Sequence, residues 1–245
     1  MTLGLTSDGT GTSGLGNTSL GSTNISITGA VYNYAAGSLG TTNVNLGKIH
    51  AGGTFGTSNV TVQNTAAATY SDVLNVTLTN SGSASSTGAF SGLVGQSSSN
   101  VTVGLGAGVQ NTVGSVSGTV GVQLVSDGTA AGLGTTNLGT TNITVAGFIY
   151  SGQSIWTNSG SGNWTNFGNW SLNGGTPGLD GALSANDTAT FGTAGSGTVT
   201  LNTNASLSAL TFSNAGSSYM LGGTGTITLA AGSNQPTISL SLIHI

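Results

Sequence analysis

The stretch SDGTGTSGLGNTSLGSTNISITGAVY, Ser7 to Tyr32, returns later as SDGTAAGLGTTNLGTTNITVAGFIY, Ser126 to Tyr150. From Gly14 onward the two copies align without a gap, Gly29 standing 118 positions before Gly147. So long a period is the size of a small domain, not of one solenoid turn. Residues 1–33 therefore read as the last strands of one domain and 34–153 as a complete second copy. The chain is expected to open in mid-repeat, as a piece of something longer, with Met1 aligned to mid-strand Val120. In each copy β-branched residues alternate with polar ones: Ile25, Ile27 and Val31 in the first, Ile143, Val145 and Ile149 in the second. Period two with such residues predicts a strand with one buried face. Gly29 and Gly147 interrupt the apolar row at the same place, which predicts a bulge or a close backbone crossing.

Working outward, 34–153 contains seven strand candidates: 43–49, 58–64, 72–80, 89–94, 99–105, 113–125 and 141–150. Val60 and Val62 share one face, as do Leu74, Val76 and Leu78, and Val101, Val103 and Leu105. Gly/Ser/Asn clusters such as 80–83 separate them. Seven short alternating strands predict an Ig-like β-sandwich, without the cysteine pair or core tryptophan of antibody domains. After about residue 154 the pattern changes. All three tryptophans fall at 156, 164 and 170, and short strands follow at 197–201, 207–212, 218–221, 226–229 and 237–240. Strands that bury so little alone predict stacked turns of a parallel β-solenoid. The expected fold is all-β: an Ig-like β-sandwich followed by the start of a parallel β-solenoid over 154–245.

Two resemblances rest on these residues. VNLGKIHAGGTFGTSNVTVQNTA (44–66), the DVLNVTLTNSG stretch (72–82) and the repeated terminal block resemble the choice-of-anchor D domains of bacterial surface proteins. Those are Ig-like sandwiches in the style of the ASPM-SPD-2-Hydin group, and the likeness spans about 1–153. The pattern W…G…W…NW…P…DTATF…TVTL…LSALTFS…Y…LGGTGTITL across 155–229 resembles the opening segment of autotransporter-associated β-strand repeat proteins. This second resemblance implies a right-handed parallel β-helix as passenger domain and an exported, surface-exposed protein, extracellular at the bacterial outer surface.

Composition limits the chemistry. Lys48 is the sole basic side chain and five aspartates the sole acids, giving a net charge of −4 and a mean hydropathy of +0.20. One cation supports neither nucleic-acid binding nor an anionic-lipid patch. Disorder and helix are both disfavoured by this composition. No apolar run approaches the ~18 residues of a membrane-spanning helix, so no membrane insertion by this segment is expected. The absence of cysteine removes disulfides and thiolate metal sites. No cofactor or metal is expected.

The candidate site residues are few. Trp156, Trp164, Phe167 and Trp170 read either as an aromatic platform for sugars or as a hydrophobic cap on the first solenoid turn, the cap being favoured. Asp180 and Asp187 could act as an acid–base or calcium pair, but they lack helper residues and read as solvated turn aspartates. Asp8 and Asp127 occupy equivalent Ser-Asp-Gly-Thr turns. His50 and His244 have no aspartate near them in sequence, and no nucleophile elbow is present. The glycine run 222–225 lacks the helix and lysine of a phosphate loop. Triplets such as those at Asn59, Asn75 and Asn142 follow from composition and are not evidence of glycosylation.

The reading favoured is therefore a non-enzymatic structural or adhesive segment, with host or matrix glycans or neighbouring cells as partners. The alternative is an extracellular carbohydrate-binding module built on the tryptophans. Ice binding is a weaker third, since the threonines do not recur at a fixed short period. The last five residues, Ser-Leu-Ile-His-Ile, break the composition and are expected to be non-native.

Overall fold

The computed structural model describes residues 1–193, 195–213, 218–230 and 235–240. The expectations for the last five residues and for His244 lie outside the described residues. The chain is all-β, and among the described residues helical structure is confined to short 3₁₀ turns at 107–109, 129–131, 167–169 and 181–186.

The chain opens with a two-stranded antiparallel hairpin, β1 (Thr2–Ser7) and β2 (Thr18–Asn24). Next come β3 (Gly37–Leu39), β4 (Asn43–His50), β5 (Ser58–Asn64), β6 (Val73–Gly82), β7 (Ala84–Thr87), β8 (Phe90–Leu93), β9 (Ser97–Leu105), β10 (Gly114–Asp127) and β11 (Thr135–Tyr150). They form two sheets, ordered β4-β11-β10-β6-β8 and β3-β5-β9-β7. Within them β4 and β11 run parallel, and the other pairs are antiparallel.

The inward rows of both sheets meet in one core: Val60, Val62, Val101 and Val103 from one, Leu74, Val76, Val120, Val122, Ile143 and Val145 from the other. Each such side chain, fully buried, is worth about 1.5–3 kcal/mol. The outward rows are zipped by uncharged pairs, Thr61 to Asn100 at 3.0 Å and Thr102 to Asn59 at 2.8 Å. This is a β-sandwich, and six of the seven expected strands begin within two residues of their expected positions. The seventh, β11, begins six residues early, because Thr135 to Asn142 pairs with the end of β10. β3 and β7 were not expected; Gly-Ser-Leu and Ala-Ser-Ser-Thr are too short to display an alternation.

Beyond Tyr150 the ladders become parallel. The strands are β12 (Gln153–Trp156), β13 (Gly162–Asn163), β14 (Thr188–Phe191), β15 (Gly197–Leu201), β16 (Ala205–Leu207), β17 (Ala209–Phe212), β18 (Tyr219–Gly223), β19 (Ile227–Leu229) and β20 (Thr237–Leu240). They form three sheets, β12-β14-β17-β20, β13-β15-β18 and β16-β19. Successive passes of the chain thus add strands in the same order. Like side chains stack in register: Phe191 on Phe212, Val199 on Leu221 and Leu207 on Leu229. The expected strand 207–212 is instead two strands, because Ser208 turns a corner, its amide and hydroxyl both donating to the Asp187 carbonyl at 2.8 and 2.9 Å. A second apolar cluster, from Trp156 to Leu210, fills the interior of this part, apart from the sandwich core.

Candidate functional site

Trp156 ends β12, and Trp170 returns to it by an isolated antiparallel bridge. Trp156 and Trp164 are fully buried and Trp170 is 3% exposed. Their rings cross at steep angles, 89° between Trp156 and Trp170 and 70° between Trp164 and Trp170. Trp164 Nε1 donates to the Pro177 carbonyl at 2.9 Å, and Trp170 Nε1 to the Trp164 carbonyl at 2.8 Å. A sugar platform needs exposed, flat ring faces, so that reading is corrected: these rings pack the interior of the part with parallel sheets, against Phe191 of β14. Phe167 does not join them. It lies outside the tryptophan cluster, half-buried, with Lys48 Nζ 3.6 Å above its ring and Tyr150 edge-on at 5.5 Å.

Phe167 instead belongs to a polar junction between the sandwich and the parallel sheets. β11 ends at Tyr150 and β12 begins at Gln153, so only Ser151 and Gly152 lie between. Both link amides are held, by the Asn173 and Gly174 carbonyls at 2.8 Å. At this seam His50, the last residue of β4, meets Asp187, which caps the 3₁₀ turn at 181–186. His50 Nε2 lies 2.8 Å from Asp187 Oδ1, and both side chains are buried. The other ring nitrogen, Nδ1, lies 2.8 Å from the Ala51 carbonyl, which can only accept, so Nδ1 carries a proton. Asp187 Oδ2 accepts from the Gly178 amide at 2.7 Å, and Tyr150 donates to Asp180 Oδ2 at 2.8 Å. Gly152 has φ +75°, and a Cβ there would collide with the Asp187 carboxylate and His50 Nε2. Only glycine leaves room for this pair.

Burial alone would lower the His50 pKa. The bond to Ala51, the bond to Asp187 and the charges of Asp187 and Asp180 outweigh it and hold the pKa above 6.5. Below that raised value the imidazole of His50 is held as a cation beside the Asp187 side chain. The Tyr150 hydroxyl is pushed well above its ordinary value, chiefly by burial and then by Asp180.

The expectation that Asp187 is a solvated turn residue is therefore corrected; it is a buried partner of a histidine 137 positions away. Asp8 and Asp127 do serve turns, each accepting from the threonine two residues on, at 3.0 Å from its amide and 2.6 Å from its hydroxyl. His50, Asp180 and Asp187 place ligand atoms within 4.8 Å of one another, a donor set that could hold a divalent cation. As it stands, both Asp187 oxygens and both His50 nitrogens already have protein partners, so no nitrogen is left to serve as a base toward a serine. The junction is a closed hydrogen-bonded seam.

No protein-family model matches the chain, and no curated protein does. Among solved structures it is similar to the periplasmic chaperone SfaE, at 13% identity and a TM-score of 0.34, over 46% of this chain and 58% of that one. It is also similar to the E. coli chaperone DraB, at 14% identity and 0.32, over 51% and 65%. The chain thus spans about three fifths of the length of these structures. Likenesses this slight carry no functional argument.

Proposed function

We propose that the chain is a non-enzymatic structural and adhesive segment of an exported bacterial cell-surface protein of the autotransporter type. In this reading 34–153 is an Ig-like repeat, 1–33 closes another such repeat, and 154–245 begins a right-handed parallel β-helix. The three parallel sheets with stacked like residues support the β-helix assignment. The observation that carries the functional reading is the closed seam. Two β units with separate cores are joined by a two-residue link, and buried bonds on both sides fix it. Such a joint suits a stiff spacer, in which repeated β modules add length.

The uncharged Thr, Asn and Ser rows on the outer faces offer many weak hydrogen-bonding groups, suited to multivalent adhesion to host or matrix glycans or to neighbouring cells. The carbohydrate platform on the tryptophans is not part of this proposal, since those rings are buried. Antibodies against the purified protein are expected to label intact cells of the source bacterium as strongly as lysed ones. The protein is expected to hydrolyse no glycan, peptide or ester. Labelling only after lysis, or turnover lost on changing His50 or Asp187, overturns the reading.

A further inference from the structure

The hairpin β1–β2 is a register-for-register twin of part of β10–β11. Leu3 faces Thr23 and Leu5 faces Gly21, with a bulge after Leu5. Val122 faces Thr141 and Leu124 faces Gly139, with a bulge after Leu124. The left-handed glycines match too: Gly14 and Gly21 have φ of +68° and +94°, Gly132 and Gly139 of +76° and +103°. What differs is the cover. Val122, Ile143, Val145 and Ile149 are buried beneath the sheet β3-β5-β9-β7, whereas Leu3, Ile25, Ile27 and Val31, their counterparts, are 40–86% exposed. A Cβ on Gly147 would meet the Phe55 ring at 2.4 Å, whereas one on Gly29 meets nothing within 4 Å. In the first copy Gly29 lies in open space, beyond the end of β2 at Asn24, with nothing packed against it.

We propose that the apolar face of β1–β2 is a docking surface for a four-stranded sheet with the inward pattern of residues 37–105. Together with strands like β4, β6 and β8 paired to the hairpin's edges, docking would complete a sandwich like the one at 34–153. The required partner presents two valine rows, as Val60, Val62, Val101 and Val103 do, and an aromatic side chain to cover Gly29, as Phe55 covers Gly147. A two-stranded hairpin gains little stability alone, and a contiguous apolar face marks an interaction site. A second copy of this chain is a poorer occupant, because its own matching sheet is already covered by β10 and β11. The inference rests on the repeat assignment within the proposed function, and not on the cell-surface role.

The test extends the full chain by placing a copy of residues 34–119 directly before Met1, the position that aligns with Val120. Hydrogen exchange is then followed at the amides of 2–7 and 18–25. Exchange there is expected to slow at least ~100-fold in the extended chain. Leu5→Asp or Gly29→Val should abolish that slowing while leaving exchange in β10 and β11 unchanged. Equal exchange in extended and unextended chains overturns the proposal. So does a dimer of the unextended chain, seen by sedimentation, whose hairpin is already protected. Because all readouts use purified protein, failed cell labelling with slowed exchange would reject the surface role and keep the docking surface.

Discussion

His50 is a residue on which burial and pairing pull in opposite directions, and pairing wins. Its folded pKa lies above 6.5, so the folded state holds the proton more tightly than the unfolded chain does. The stabilisation from this group is thus fully present below 6.5 and is lost as pH rises through the raised value. The urea midpoint should be higher at pH 5.5 than at pH 8.5, and His50→Gln should remove that part of the difference. Asp187→Ala strands both the imidazolium and the Gly178 amide, and breaking a buried pair in this way costs about 3–5 kcal/mol. The tryptophans allow a finer comparison. Trp164 Nε1 has an acceptor, while Trp156 Nε1 is buried and finds none among the described residues. Trp164→Phe should therefore cost more than Trp156→Phe, by roughly one hydrogen bond, ~1 kcal/mol, in denaturant unfolding. Trp164→Ala should cost about 3–5 kcal/mol.

Among elements, β11 shows how a glycine earns its place in a strand. Its pairing with β4 skips a residue between Ala146 and Phe148, and the Phe55 ring fills the space a side chain at Gly147 would need. Of the expected bulge or close crossing, β11 has the close approach at Gly147, and the extra residue of the bulge lies in its partner β4, between Asn45 and Lys48. Gly147→Ala should destabilise by about 1–3 kcal/mol through overpacking, whereas Gly29→Ala at the matching position should stay within ~0.5 kcal/mol. Thermal unfolding of the two variants checks the pair. Strands such as β5 and β9 were legible because one-sided burial writes itself as alternating valines. β3 and β7 were not, since neither carries an alternating apolar row. The tryptophans were found, but their exposure was not legible, since burial depends on what folds over a ring. The seam at His50 was least legible of all. Its partners come from distant segments, and an Asn-Asp-Thr stretch looks like any solvated turn until its chain neighbours close around it.

At the scale of the whole molecule, one lysine and five aspartates leave little for ions to screen. The thermal midpoint should move by less than ~2 °C between 20 mM and 500 mM sodium chloride, and a larger shift would show that the few charges matter more than their number suggests. The interior is sorted into two separate cores, and the chain passes from sandwich to parallel sheets through Ser151 and Gly152, so any pull along it runs through them. Beside that covalent thread run the His50–Asp187 and Tyr150–Asp180 contacts. Under tension these side-chain bonds and the link's own amide bonds share the load, so they rupture together rather than one at a time. The seam is then expected to act as a mechanical fuse: single-molecule stretching should show a brief, sharp resistance to extension at its rupture, before either core unravels.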